Sequence, residues 1–237
     1  MSAHVLMLSS SRQGQEAYLE HARPLMLEHL GDCRDILFIP YAAVTKTYDD
    51  YVSAVAEALP ECRVTGLHSH TDPVNAVKDA HQRGHAILVG GGNTFHLLYT
   101  LYQQNLLTPL KQAVAEGMPY IGWSAGSNIC GNSIRTTNDM PIIEPPQFDA
   151  LQFVPFQLNP HYTDYQPPNH NGETRDERLA EFTTLNPTMP VVAIREGTAL
   201  KLSNNSLTLL GELGGFIFQG SQKTAIAQGD DLTYLLD

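Results

Sequence analysis

Hydrophobic and polar positions change their grammar along this chain, and the change falls at Cys130. Before it, short apolar runs alternate with segments of helical spacing. The runs at residues 4–9, 35–41 and 118–122 read as strands, residues 63–68 as a further short strand, and residues 85–93 as a strand entering a glycine-rich loop. Apolar runs without alternation belong to strands covered on both faces. Between them, helical periodicity marks residues 16–30 (Leu19, Leu27 and Leu30, with Gly31 as the stop), 49–59 closed by Pro60, 73–83, 94–104 capped by Asn93 or Thr94, and 107–116. This alternation predicts an α/β fold with a mostly parallel central sheet and helices on both faces.

After Cys130, seven prolines between Pro141 and Pro168 break the pattern into short extended pieces and loops. Residues 150–158 read as a strand, with Asn159-Pro160-His161 just past its end. The polar stretch 166–176 is expected to be a mobile surface loop. Residues 177–185 return to helix and 191–194 to strand. Two short strands, 199–202 and 207–211, flank Asn204-Asn205 as a hairpin. Segments 215–219 and 232–236 are expected as closing strands. No internal repeat or linker interrupts the chain, so one domain spanning 1–237 is expected.

The chemistry concentrates where the 118–122 strand meets Gly122-Trp123-Ser124-Ala125-Gly126. Gly-x-Ser-x-Gly between a strand and a helix is the context of a nucleophile elbow, with the serine on a sharp turn. A serine hydroxyl needs a base to take its proton and an acid to orient that base. Of the ten histidines, His161 stands at an expected strand end and is the candidate base. Two carboxylates compete as the acid: Glu196, after the 191–194 strand and before Gly197, and Asp139, in a loop. The Gly90-Gly91-Gly92 loop lacks the spacing of a dinucleotide fingerprint. It suits an oxyanion site instead, in which the Gly91 amide joins that of Ala125, directly after the serine.

Composition narrows the partners. The net charge of −11 excludes the basic surface that nucleic acid demands, and no stretch is long enough for a membrane span. An acidic substrate would need local help from one of only 14 Lys and Arg residues. Three widely spaced cysteines without Cys-x-x-Cys, and an N-terminus lacking a basic region and cleavage site, fit a cytoplasmic protein. His68, His70 and Asp72 alternate in a polar turn with no helix-borne His pair, so neither metal nor cofactor is expected.

Gly90–Asn93, Gly122–Gly126, Asn159–His161 and Arg195–Gly197, in this order and spacing, resemble the S51 family of serine peptidases over the whole chain. That family includes α-aspartyl dipeptidases and cyanophycinase. The resemblance implies a fold like class I glutamine amidotransferases, with β-hairpin additions toward the C-terminus. It implies Ser124 as nucleophile, His161 as base and Glu196 as acid, with Asp139 as rival. It also implies metal-free hydrolysis of dipeptides that begin with aspartate. Serine stands where an amidotransferase carries cysteine, which argues against glutaminase activity. Arg175, in the polar loop, is then the candidate cation for an aspartyl carboxylate. A small peptide is the expected partner, on a monomer or homodimer. A β-linked aspartyl or cyanophycin-like substrate, or a non-catalytic amidotransferase-like binding protein, are the alternatives.

Overall fold

The structure, a computed structural model, describes residues 3–169 and 171–237. Its first half alternates strand and helix: β1 (Val5–Leu8), α1 (Arg23–Leu30), β2 (Asp35–Ile39), α2 (Tyr48–Ala58), β3 (Arg63–Gly66), α3 (Pro73–Gln82), β4 (Ala86–Val89), α4 (Thr94–Gln103), α5 (Leu107–Ala115), β5 (Tyr120–Trp123) and the short α6 (Ala125–Asn128). Side-chain caps set several helix starts. Thr47, Asp72 and Asn93 each accept the amide three residues on, at 3.0–3.1 Å.

The second half adds β6 (Gln157–Tyr162), α7 (Arg175–Leu185), β7 (Val191–Arg195), β8 (Ala199–Ser203), β9 (Ser206–Leu210), β10 (Gly215–Gln219) and β11 (Gln222–Ile226). A seven-stranded sheet runs in the order β3-β2-β4-β5-β1-β8-β9. Its five first-half strands are parallel, and the β8–β9 hairpin joins antiparallel beside β1. A second, four-stranded sheet runs β11-β10-β7-β6.

Alternate residues of the central strands feed opposite faces, as the pleat requires. Val5 and Met7 of β1 join a core with residues of α3, α4, α5 and the second sheet, including Leu158, Val192 and Ile194. Leu6 and Leu8 join the other, with Met26 and Leu30 of α1 and Tyr51 and Val55 of α2. These side chains are almost wholly inaccessible, and each contributes about 1.5–3 kcal/mol by its burial. The expected α/β class, with helices covering both faces of a mostly parallel sheet, is the class observed. Among the described residues no helix is long and apolar enough to cross a membrane.

Several expected boundaries move, each for a local reason. The helix expected over residues 16–30 forms only from Arg23. Leu19 is buried, but from a turn at φ 61, and Pro24 sits in the first helical turn, where its missing N–H costs nothing. Residues 150–156 are a loop rather than a strand: the Leu151 and Phe153 amides bond back to the carbonyls of Ile129 and Cys130, at 2.8 and 2.9 Å. Consequently β6 begins at Gln157 and His161 lies within it. Arg175 is the first residue of α7, not part of the loop, because Thr174 and Glu177 form a reciprocal capping box.

Near the C-terminus the strand expected at residues 232–236 is a 3-10 turn, Thr233–Leu236, whose first amide bonds the Asp231 carboxylate at 2.9 Å. The true edge strand, β11, is polar and largely exposed, which hides the alternation a sequence scan looks for. Asn204 and Asn205 do turn the β8–β9 hairpin, at φ 52 and 59.

Candidate active site

Ser124 stands between β5 and α6 with φ 53 and ψ −112, a strained conformation for a residue with a side chain. The turn is held from several sides. The Ser124 amide donates to Leu8 O at 3.2 Å, and the Ser127 hydroxyl lies 2.6 Å from Leu8 O and 2.8 Å from Gly122 O. Packing explains the flanking glycines. A methyl at Gly126 would stand 2.1 Å from Val89 O, and one at Gly122 would stand 2.3 Å from Gly126 O. Helix α6 therefore leaves the sheet so closely that no side chain fits between them.

His161 reaches the serine from the second sheet. Its Nε2 is 2.8 Å from Ser124 Oγ and its Nδ1 is 2.7 Å from Glu196 Oε1. The backbone explains how a residue inside a strand presents its side chain at the sheet end. The β6–β7 register shifts between Asn159 and Tyr162, and His161 takes φ 55. Two serines past the end of β1 tie the pieces together. Ser9 Oγ accepts the His161 amide and donates to Ile194 O, both at 2.9 Å. Ser10 Oγ accepts the Gly197 amide at 3.3 Å, fixing the turn that carries Glu196. Both serines are fully buried. A sequence reading sees them only as a polar turn.

Asp139 is not brought to the imidazole. Its Oδ2 accepts the Thr94 amide at 2.7 Å, at the start of α4, and it borders a pocket of about 240 Å³ beside Ser124. The same pocket is lined by Asn128, His161 and Arg175. Arg175 bonds two neutral oxygens, Asn159 Oδ1 at 3.3 Å and His161 O at 3.5 Å. Burial lowers its pKa from the usual arginine value, with Arg178 adding repulsion. Asn128 is 2% exposed and donates to Leu158 O at 2.8 Å, while its Oδ1 has no partner among the described residues. The pocket is thus bordered by one cation, Arg175, and one anion, Asp139.

On the other side of Ser124 and His161 lies a cleft of about 720 Å³, walled by residues such as Tyr18, Val44 and Ile142 and floored by Gly91, Gly92 and Trp123. The glycine loop approaches the serine closely: a methyl at Gly91 would stand 2.9 Å from Ser124 Cβ. Tyr51 steadies that loop, its hydroxyl donating to Gly91 O at 2.9 Å and accepting from Trp123 Nε1 at 3.2 Å. The amides of Gly91 and Ala125 donate to no acceptor among the described residues. Of the turn residues weighed as metal ligands, His68 bonds Asp49 at 2.9 Å and Asp72 caps α3. Among the described residues no group of three or more His, Cys, Asp or Glu is placed to hold a metal ion.

The sequence model of Peptidase family S51 matches residues 5–210. The chain belongs to peptidase family S51. It is therefore a peptidase, a hydrolase of the amide bond. Curated S51 relatives named peptidase E cover its whole length. The one from Shewanella putrefaciens is 52% identical over 239 residues, covering 100% of both chains. That of Shewanella amazonensis is 53% identical with the same coverage. A crystal structure of a peptidase from an acI-B1 Actinobacterium shares the fold at TM-score 0.68 and 17% identity, covering 98% of this chain and 97% of its own. A structure from Listeria monocytogenes EGD-e does so at TM-score 0.68 and 22% identity, covering 89% and 99%.

Sequence reasoning named Ser124, His161, Glu196, Asp139, Gly91, Ala125 and Arg175 for this S51 site. The first three form one hydrogen-bonded chain, Gly91 and Ala125 flank the serine, and Asp139 and Arg175 face a shared pocket. It missed Asn128 and Tyr51. Asn128 falls one turn after the serine, on the helix that the elbow opens, which was a usable signal. Tyr51 sits mid-helix in an amphipathic pattern and carried none.

Proposed function

We propose that this S51 peptidase is a serine-type dipeptidase that releases N-terminal aspartate from Asp-Xaa dipeptides. The observation that carries the reading is the pocket of about 240 Å³ beside Ser124, with Arg175 and Asp139 on its walls. An N-terminal aspartyl residue carries one carboxylate and one ammonium, and this pocket offers one partner for each. Arg175 would grip the side-chain carboxylate: it bonds neutral oxygens, and no carboxylate among the described residues is hydrogen-bonded to it. Asp139 would receive the ammonium. The pocket is smaller than the ~300–1,000 Å³ typical of ligand cavities, which suits one small residue rather than a peptide.

In the reaction, His161 Nε2 takes the Ser124 proton while Oγ attacks the aspartyl carbonyl. The Gly91 and Ala125 amides receive the oxyanion. Glu196 orients His161 and stabilises the imidazolium that forms. His161 then gives its proton to the leaving amine as the C–N bond breaks. A water activated by the same imidazole attacks the aspartyl ester, and Ser124 recovers its proton as aspartate departs. Incubation with Asp-Leu, its isoaspartyl isomer and N-acetyl-Asp-Leu tests the reading. Cleavage of Asp-Leu alone is expected. Preferred cleavage of the isoaspartyl isomer would move the substrate to β-linked aspartyl compounds, and cleavage of the acetylated peptide would remove the ammonium contact.

A further inference from the structure

The leaving side of Ser124 carries features that recognition of aspartate does not use. The cleft of about 720 Å³ is bordered by two cations, Arg12 and Lys46. The chain has 25 acidic residues against 14 Lys and Arg, and among the described residues six of these cations are engaged with carboxylates: Arg23, Arg63, Arg178, Arg195, Lys201 and Lys223. Arg12 and Lys46 are paired with no carboxylate among the described residues. Among the described residues Arg12 donates only to the Glu16 carbonyl, at 3.3 Å. Lys46 Nζ is held 4.7 Å above the ring of Tyr51, the residue whose hydroxyl fixes Gly91. Its charge is thereby drawn over the floor of the cleft. The same cleft exposes Val44 and Ile142, at 53% and 54%, among the large apolar side chains that face solvent.

We propose that this cleft is the leaving-group subsite and takes an amino acid with a free carboxylate and an apolar side chain. Lys46 and Arg12 hold the carboxylate, and Val44 and Ile142 receive the side chain. The inference rests on the aspartyl reading above, because that reading assigns the smaller pocket to the acyl side. Chemistry supplies the rest of the argument. The second residue of a dipeptide ends in a carboxylate that the net charge of −11 repels, so cations must compensate locally. An open cleft of this volume exceeds what one aspartyl residue needs and falls in the range of pockets that hold larger ligands. Cleavage preference for dipeptides over longer or blocked substrates then follows from charge at the far end, rather than from a closed wall.

The test compares kcat/KM for Asp-Leu and for Asp-Leu amide, which differ only in that terminal charge. It uses the wild-type protein, Lys46→Met, Arg12→Gln and the double variant. Two partly exposed charge contacts predict a wild-type preference for the free acid of about tenfold. Each single variant should lose part of that preference and the double variant should reach parity. A folding defect lowers both rates together and leaves their ratio unmoved. Equal wild-type rates on the two substrates, or a double variant that keeps the preference, would overturn the subsite while leaving aspartyl dipeptide hydrolysis standing. If the wild-type protein cleaves neither, the aspartyl reading and the subsite fall together.

Discussion

Replacing Glu196 with alanine removes the carboxylate 2.7 Å from His161 Nδ1 and leaves the Ser124–His161 contact without its orienting partner. A hydrogen bond to a charged group is worth about 1.5–3 kcal/mol net. At about 1.4 kcal/mol per factor of ten, that is a loss of about 10- to 150-fold in kcat. The Glu196 side chain is 54% exposed, so solvent screens its charge and the lower part of that range is expected. This is well short of the ~10⁴ drop that follows loss of a buried triad acid. Asp139→Ala should behave differently, because its carboxylate holds the Thr94 amide and borders the acyl pocket. Its main effect should be on KM. Steady-state hydrolysis of Asp-Leu, with kcat and KM resolved and melting temperature checked for each variant, separates the two. If Glu196→Ala keeps its kcat while Asp139→Ala loses it, the acid has been misassigned.

Two further outcomes follow from half-buried Arg175 and buried His29. Arg175→Ala should lose much more activity on Asp-Leu than on Ala-Leu, and Arg175→Lys should restore little, since a point charge does not reproduce a two-pronged grip; equal losses on both substrates would remove its role in specificity. His29 is 8% exposed and neither ring nitrogen has a hydrogen-bond partner among the described residues. Burial lowers its pKa from 6.5 to about 4, so between those values the unfolded chain binds a proton that the folded chain refuses. Stability from this residue is complete above pH 6.5 and declines as pH falls toward 4, by a total on the order of 3 kcal/mol. Urea unfolding at a series of pH values should show that slope, and His29→Leu should flatten it; an unchanged slope would mean that other groups cause it.

The parallel half of the fold was legible because β2 and β4 are uninterrupted, buried apolar runs and helices such as α2 and α4 carry their caps in sequence. The second sheet was not. Its edge strand Gln222–Ile226 is polar and exposed, and β6 owes its start to backbone bonds that return residues 150–156 to the end of α6. The site divides along the same line. Ser124 and Gly91 lie in turns whose glycines announce close backbone approach, Ala125 opens the helix that follows, and Glu196 comes just after a plain strand. His161 was identified for the wrong local reason: it stands inside β6, and a register shift with a positive φ turns it toward the serine. Nothing in a linear pattern encodes that shift. Ser9 and Ser10, which join β1 to the second sheet, were equally hidden, since their role exists only once residues more than 150 positions apart meet.

The account turns on Ser124 as the attacking group, and its alanine variant tests that most directly. Among the described residues the Ser124 side chain bonds only His161, so Ser124→Ala should fold with a melting temperature close to that of the wild type. Its kcat on Asp-Leu should fall by on the order of 10⁶, the scale on which a serine peptidase responds to loss of its nucleophile. A folded Ser124→Ala protein that still hydrolyses Asp-Leu at near the wild-type rate would contradict the account.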